Sequence, residues 1–151
     1  MHFYFAYGSN LDQAQMCRRC PGSKLVGAGA LAKHRLDFTR YSKHWQGGVA
    51  DVVPDVTQEV WGLIYHLSAN DLGLLDGYES YPMGYDRTQV TVKIADHSWL
   101  ESVWVYQVAK KKSFMPPHSK YLGIIQSAAE QWNFPVHYRR HLDQIEKATH
   151  G

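Results

Sequence analysis

An α+β fold with a mainly antiparallel sheet, open or closed, is what this sequence predicts, and three observations carry the prediction. Short β-branched and aromatic runs fill much of the chain, the longest helical stretches gather after Pro116-Pro117, and no regular strand–helix alternation of a parallel sheet appears. With 151 residues, the chain fits one domain over 1–151 that buries roughly two thirds of its unfolded surface.

His2 to Tyr7 is an aromatic-rich run ending at Gly8, a strand entering a tight turn. Asp12 is placed to cap a short helix through about Arg19, stopped by Pro21-Gly22. Leu25 to Tyr41 mixes small and alternating apolar residues and predicts one or two strands. Val49 to Val53 and Glu59 to Leu67 predict two strands paired as a hairpin through the turn dipeptide Pro54-Asp55. Ser68 followed by Asp71 resembles a capping box opening a helix to about Tyr78, with Leu72 and Leu75 on its apolar stripe. Tyr85 to Ala95 and Trp99 to Val108 predict further strands joined by Asp96-His97-Ser98. Helices are expected over Ser119 to Trp132 and Val136 to Ala148, separated at Pro135.

Composition narrows the function classes. A hydrophobic fraction of 44% with 20% charged residues is ordinary for a globular chain and unlike a disordered one. A formal charge of +2 with signs interspersed gives no basic stripe for nucleic acid or an anionic membrane, and Lys110-Lys111-Lys112 reads as a solvated loop. No stretch approaches the roughly 18 apolar residues of a membrane span, and the N-terminus lacks a secretory h-region, so a cytoplasmic location is expected. Two cysteines make a stabilising disulfide improbable.

Two features carry chemistry on pattern alone, each with a plain structural alternative. Glu79 follows Leu72 and Leu75 on one helical face, where partial desolvation and the negative helix end would both raise its pKa toward the range of a neutral-pH acid or base. A helix ending sooner would instead leave Glu79 solvated. Tyr7-Gly8-Ser9-Asn10 can turn backbone amides outward into a donor site for a carboxylate or oxyanion, or can be a simple turn. Other motifs are weaker. Gly27 to Ala32 satisfies a G-x-G-x-x-A pattern with Asp51 downstream, but strand signals follow it where a dinucleotide fold needs a long helix. Cys17-Arg18-Arg19-Cys20 lacks the second cysteine pair of a zinc site, and His137 with His141, four apart, lack a third ligand and read as surface histidines. Ser9 sits in no nucleophile elbow and reads as a binder.

Taken together, five separated blocks resemble the γ-glutamylcyclotransferase family, also called AIG2-like, along almost the whole chain. Phe3 to Leu11 is similar to its first strand and Y-G-S-N loop. His34 to Phe38, and Gly47-Gly48-Val49-Ala50 followed by Glu59-Val60-Trp61-Gly62, are similar to its next blocks. Leu75-Asp76-Gly77-Tyr78-Glu79 resembles its L-D-x-x-E segment, and Pro116-Pro117, Tyr121, Ala128-Ala129-Glu130 and Pro135 its C-terminal helix entry. The resemblance implies a small mixed, mainly antiparallel β-barrel with flanking helices. It implies Glu79 as catalytic, Tyr7, Gly8, Ser9, Asn10 and Leu11 as substrate-binding, and Tyr85, Tyr106 and Tyr121 as pocket tyrosines. It also implies release of 5-oxoproline from a γ-glutamyl amine or amino acid, with Glu79 moving the proton and with no metal or cofactor. The expected partner is a small γ-glutamyl substrate, with neither nucleic acid nor membrane, in a monomer or homodimer. Where the family often has glycine after the glutamate, this chain has Ser80, which leaves the leaving-group preference open. A non-catalytic module binding γ-glutamyl metabolites or a protein on the same fold is the alternative.

Overall fold

The computed structural model describes residues 2–94 and 96–149. Five strands, β1 (His2–Ala6), β2 (Lys24–Ser42), β3 (Gly47–Leu67), β4 (Tyr85–Ile94) and β5 (Trp99–Val108), close into a barrel in the order β1-β3-β2-β4-β5. The sheet is mixed, because β5 meets β1 in parallel (Phe3 opposite Val103) while the remaining pairs are antiparallel. Closure removes the exposed strand edges that an open sheet must otherwise protect. Four helices flank it: α1 (Gln13–Arg19), α2 (Ala69–Tyr78), α3 (Ser119–Gln131) and α4 (Val136–Asp143).

Local chemistry places the helix starts where expected. Asp12 caps α1 by accepting from the amides of Ala14 and Gln15. Ser68 and Asp71 form a reciprocal capping box on α2, so two otherwise orphaned amides are satisfied at once. Leu72 and Leu75 face the core, as the helical spacing requires. The end of α4 differs from expectation: it stops at Asp143, and the chain then returns so that the Ala148 amide donates to the Pro117 carbonyl.

The largest departure concerns Pro54-Asp55. No hairpin forms there; the runs on either side belong to the single strand β3, and both pair with β2. Ala32 lies opposite Glu59 and His34 opposite Pro54, so residues 55–58 bulge out against Lys33, which adopts a left-handed φ of 58°. Asp55 does make a local turn, accepting from the Thr57 amide and hydroxyl, but the turn is absorbed as a bulge and does not reverse the chain. The true reversal lies between Ser42 and Gly47, and residues 24–42 form one strand. The glycines of the G-x-G-x-x-A pattern sit inside that strand, without the helix a dinucleotide site requires. Ala95, the expected end of β4, lies outside the described residues.

Phe5, Phe38, Leu63, Ile64, Leu75 and Phe134 are among the fully buried side chains that fill the core. Gly48 has a steric reason: a Cβ there would come within 2.0 Å of the Met115 carbonyl oxygen. That close approach lets residues 112–116 run along the β2–β3 hairpin, with the Met115 amide donating to Phe38 and the Gly48 amide to Pro116. Lys111, expected in a solvated loop, instead reaches inward. Its side chain is 33% exposed, yet its ammonium lies 2.8 Å from the fully buried Asp51 carboxylate. Asp51 also accepts from the Thr39 hydroxyl and the Val108 amide, tying β2, β3 and β5 to the segment that follows.

Candidate active site

A cavity of about 400 Å³ lies between the 8–10 turn, the hairpin end of β2 and β3, and the C-terminus of α2. Glu79 is set into it by two backbone bonds: its amide donates to the Leu75 carbonyl, and its carbonyl accepts from the Tyr85 amide. The preceding turn is fixed by Asp76, which accepts from Arg87 at 2.8 Å and from the Tyr106 hydroxyl at 2.7 Å. Ser80 then takes a left-handed φ of 53°, a conformation glycine adopts without steric cost. The serine is thus accommodated on the backbone path that glycine would favour.

Among the described residues the Glu79 carboxyl has no hydrogen-bond partner. Burial raises its pKa to about 7, against the opposing fields of Arg19 and Arg40. A carboxyl so poised exchanges a proton readily near neutral pH.

The 8–10 turn is shaped by its neighbours. Leu11 and Asp12 amides donate back to the Gly8 and Ser9 carbonyls, forming a single 3₁₀ turn. A Cβ on Gly8 would lie 2.8 Å from the Tyr121 hydroxyl, so only glycine lets that oxygen approach. Asn10 is buried, with Nδ2 donating to the Tyr4 hydroxyl while Oδ1 accepts from Gln15 and Arg19. It therefore orients Tyr4 and Arg19, and it also lines the cavity. Ser9 Oγ accepts from Gln15 and borders the cavity. Leu11 does not line the cavity; it is 3% exposed and packs in the core, because the 3₁₀ turn rotates it inward.

Tyr7, Tyr85, Tyr106 and Tyr121 all line the cavity, and burial pushes each hydroxyl above the ordinary phenol range, so they remain neutral. Three of their protons are committed: Tyr7 donates to the Tyr106 carbonyl, Tyr85 to the Ala50 carbonyl and Tyr106 to Asp76. Tyr121 is different, because its oxygen accepts from the Ala50 amide at 2.9 Å and its own proton is unused among the described residues. The same holds for Tyr4, whose oxygen accepts from Asn10. Two hydroxyl donors thus border the cavity beside an unpartnered carboxyl.

Sequence reading did not find Tyr4, Arg19, Arg40, Trp45 or Tyr78, which also line the cavity. A signal existed for two of them. Arg40 continues the alternate positions of Leu36 and Phe38, a cation on an apolar stripe, and Arg19 is four residues from Gln15 on α1, both reaching Asn10. Cys17 is exposed and Cys20 buried, both as free thiols, and His137 and His141 are exposed on α4. Among the described residues no group of three or more His, Cys, Asp or Glu gathers as a metal site. No helix among them is long and apolar enough to cross a membrane.

A closed mixed barrel that holds a desolvated, unpartnered carboxyl among neutral tyrosines defines the class of site, and comparison with known proteins gives that class a family. The profile of the family described as gamma-glutamyl cyclotransferase, AIG2-like matches residues 4–134. The chain is 30% identical to the gamma-glutamylcyclotransferase of Bos taurus and 29% identical to that of Homo sapiens, in each case over 95% of this chain and 78% of the relative. A solved gamma-glutamyl cyclotransferase structure superposes with a TM-score of 0.91 at 27% identity, covering 99% of this chain and 90% of the other. The chain belongs to the γ-glutamyl cyclotransferase, AIG2-like family and is an enzyme of that type.

Proposed function

We propose that this enzyme releases 5-oxoproline and a free amine from a γ-glutamyl substrate, with Glu79 as general base and then general acid. The observation that carries the reading is the cavity-facing Glu79 carboxyl, unpartnered among the described residues and poised near pH 7. A γ-glutamyl group carries its own nucleophile, but its α-amine is protonated at neutral pH. Glu79 takes that proton, and the amine attacks the δ-carbonyl carbon to form the C–N bond of a five-membered lactam. Negative charge then gathers on the former carbonyl oxygen, where the Tyr4 and Tyr121 protons, unused among the described residues, are the donors at hand. As the tetrahedral centre collapses, the original amide C–N bond breaks, Glu79 returns its proton to the departing nitrogen, and the ring nitrogen sheds its second proton, which leaves a neutral lactam and, at neutral pH, the leaving amine as its ammonium.

Because the reaction is intramolecular, much of its acceleration comes from folding the glutamyl chain into attack geometry. The cavity walls, pinned by the tyrosine bonds to Ala50 and Asp76, are suited to that. The test is 5-oxoproline release from γ-glutamyl-alanine, γ-glutamyl-ε-lysine and glutathione, with unmodified protein and Glu79→Gln. Release that the substitution abolishes supports the reading. Silence across the panel, with retained affinity for these compounds, would favour the non-catalytic binding module.

A further inference from the structure

Arg87 stands on β4 opposite Tyr106 of β5 and does not line the cavity that Glu79 enters. Its guanidinium is nonetheless held from several sides. The fork meets both oxygens of Asp76, Nε to Oδ1 at 2.8 Å and Nη2 to Oδ2 at 3.1 Å. It also lies 4.8 Å from the centre of the Tyr81 ring and 4.2 Å from that of Trp104. Trp104 takes this place although its buried indole N–H finds no partner among the described residues. A planar cation fixed by a bidentate ion pair and two aromatic rings has little freedom left.

The two groups it grips flank Glu79 in the chain. Asp76 comes three residues before the glutamate and Tyr81 two after it, and the Tyr81 amide closes the turn by donating to the Asp76 carbonyl at 2.9 Å. Arg87 thus clips that turn onto the β4–β5 pair on both sides of Glu79. The clip extends to the cavity wall, because the Asp76 oxygen that meets Arg87 also accepts from the Tyr106 hydroxyl at 2.7 Å. The Tyr106 ring in turn meets Tyr4 edge-on at 5.8 Å, and Tyr4 holds one of the two hydroxyl protons unused among the described residues. No hydrogen bond among the described residues holds the Glu79 carboxyl itself, so its place is set by the backbone beneath it.

We propose that Arg87 is a positioning residue for Glu79: by clamping Asp76 and Tyr81 it fixes the glutamate's carboxyl against the tyrosine wall of the cavity. Its contribution is made through the turn, since it does not border the cavity. A misplacement of about 1 Å costs roughly 10²-fold in rate where reacting groups must be aligned. The walls away from Glu79 keep their contacts with substrate, so the loss falls on kcat and spares KM. This inference rests on the cyclotransferase reading.

The experiment measures 5-oxoproline release by unmodified protein, Arg87→Gln and Arg87→Lys. The substrate is whichever of γ-glutamyl-alanine, γ-glutamyl-ε-lysine and glutathione the unmodified protein turns over, and rates are scaled to the folded fraction found by circular dichroism. Arg87→Gln is expected to lose roughly 10- to 100-fold in kcat with KM changed by less than about threefold. Arg87→Lys is expected to fall between, because its charge reaches Asp76 without the fork. The acid limb of kcat/KM gives a readout that a general loss of folding would not move. The titratable groups around the cavity besides Glu79 are Arg19, Arg40, the exposed His44 and the tyrosines, so Arg87 is no part of that field. A carboxyl released from the clip gains water, and in Arg87→Gln the limb should move below its position near pH 7. A kcat-specific loss with a lowered limb supports the proposal. Undiminished kcat in Arg87→Gln overturns it, as does a loss confined to KM or an unmoved limb. Should Arg87→Gln not fold, Arg87→Lys decides by the same two readouts. Absence of 5-oxoproline from the whole panel with unmodified protein sinks the cyclotransferase reading itself, an outcome distinct from turnover that Arg87→Gln leaves intact.

Discussion

Two carboxylates stand inside this barrel in opposite circumstances. Asp51, fully buried on β3, accepts from Thr39, Val108 and Lys111, so its charge is matched and its lone pairs are occupied. Glu79, at the end of α2, has no hydrogen-bond partner among the described residues, and only the fields of two arginines offset its desolvation. A buried charge surrounded by donors is a structural tie; a desolvated one left without them is held ready to exchange a proton. The two are also linked through the chain. Asp51 follows Ala50, whose amide and carbonyl bind Tyr121 and Tyr85, so the satisfied carboxylate steadies the wall that the unsatisfied one faces.

The sharpest way to break this contrast is to neutralise each carboxylate and compare the losses. Glu79→Gln should lower kcat by roughly 10²- to 10⁴-fold while substrate affinity is retained, as measured by single-turnover kinetics and calorimetric titration. Asp51→Ala should cost about 3–5 kcal/mol of stability, because Lys111 and the Val108 amide lose a buried partner. Denaturant melts report that loss, and an effect below about 1 kcal/mol would remove the structural role given to Asp51.

The pH dependence separates the carboxylates further. The folded state raises the Glu79 pKa from 4.5 to about 7, so folding is penalised as pH rises from about 4.5 to 7, and the penalty is complete above that. Glu79→Gln should therefore raise stability at pH 8 by on the order of 3 kcal/mol relative to its effect at pH 4. Activity should move oppositely, with kcat/KM climbing through an acid limb near pH 7 as the base ionises. Removing Arg19, the larger of the two opposing fields, should shift that limb upward. Smallest is the backbone: Ser80→Gly relieves the left-handed φ and should stabilise by about 1 kcal/mol. Thermal melts with unchanged turnover would verify it.

Local sequence signals served well where local chemistry decides. Asp12 and the Ser68–Asp71 pair cap their helices from within four residues, and Glu79 follows its apolar stripe to the cavity. The Y-G-S-N loop was legible as a turn, but the use of its members was not: Leu11 goes to the core, and the Asn10 side chain also ties Tyr4 and Arg19. Lys111 carried no signal of its partner, since Asp51 lies sixty residues earlier in the chain.

Sequence by itself determined the helix caps, the strand-rich α+β class and the apolar stripe that Glu79 continues, because each depends on short-range spacing or on the chemical nature of one side chain. Tertiary structure alone decided that Pro54-Asp55 would bulge without reversing the chain, since the pairing of both flanking runs with β2 overrides a turn preference. It also decided which tyrosine protons are committed and which stay unused among the described residues, and that two arginines from distant segments share a cavity with Glu79. Those outcomes follow from barrel closure, which brings β2, β3 and the end of α2 around one cavity and sets the fields that a carboxyl there must feel.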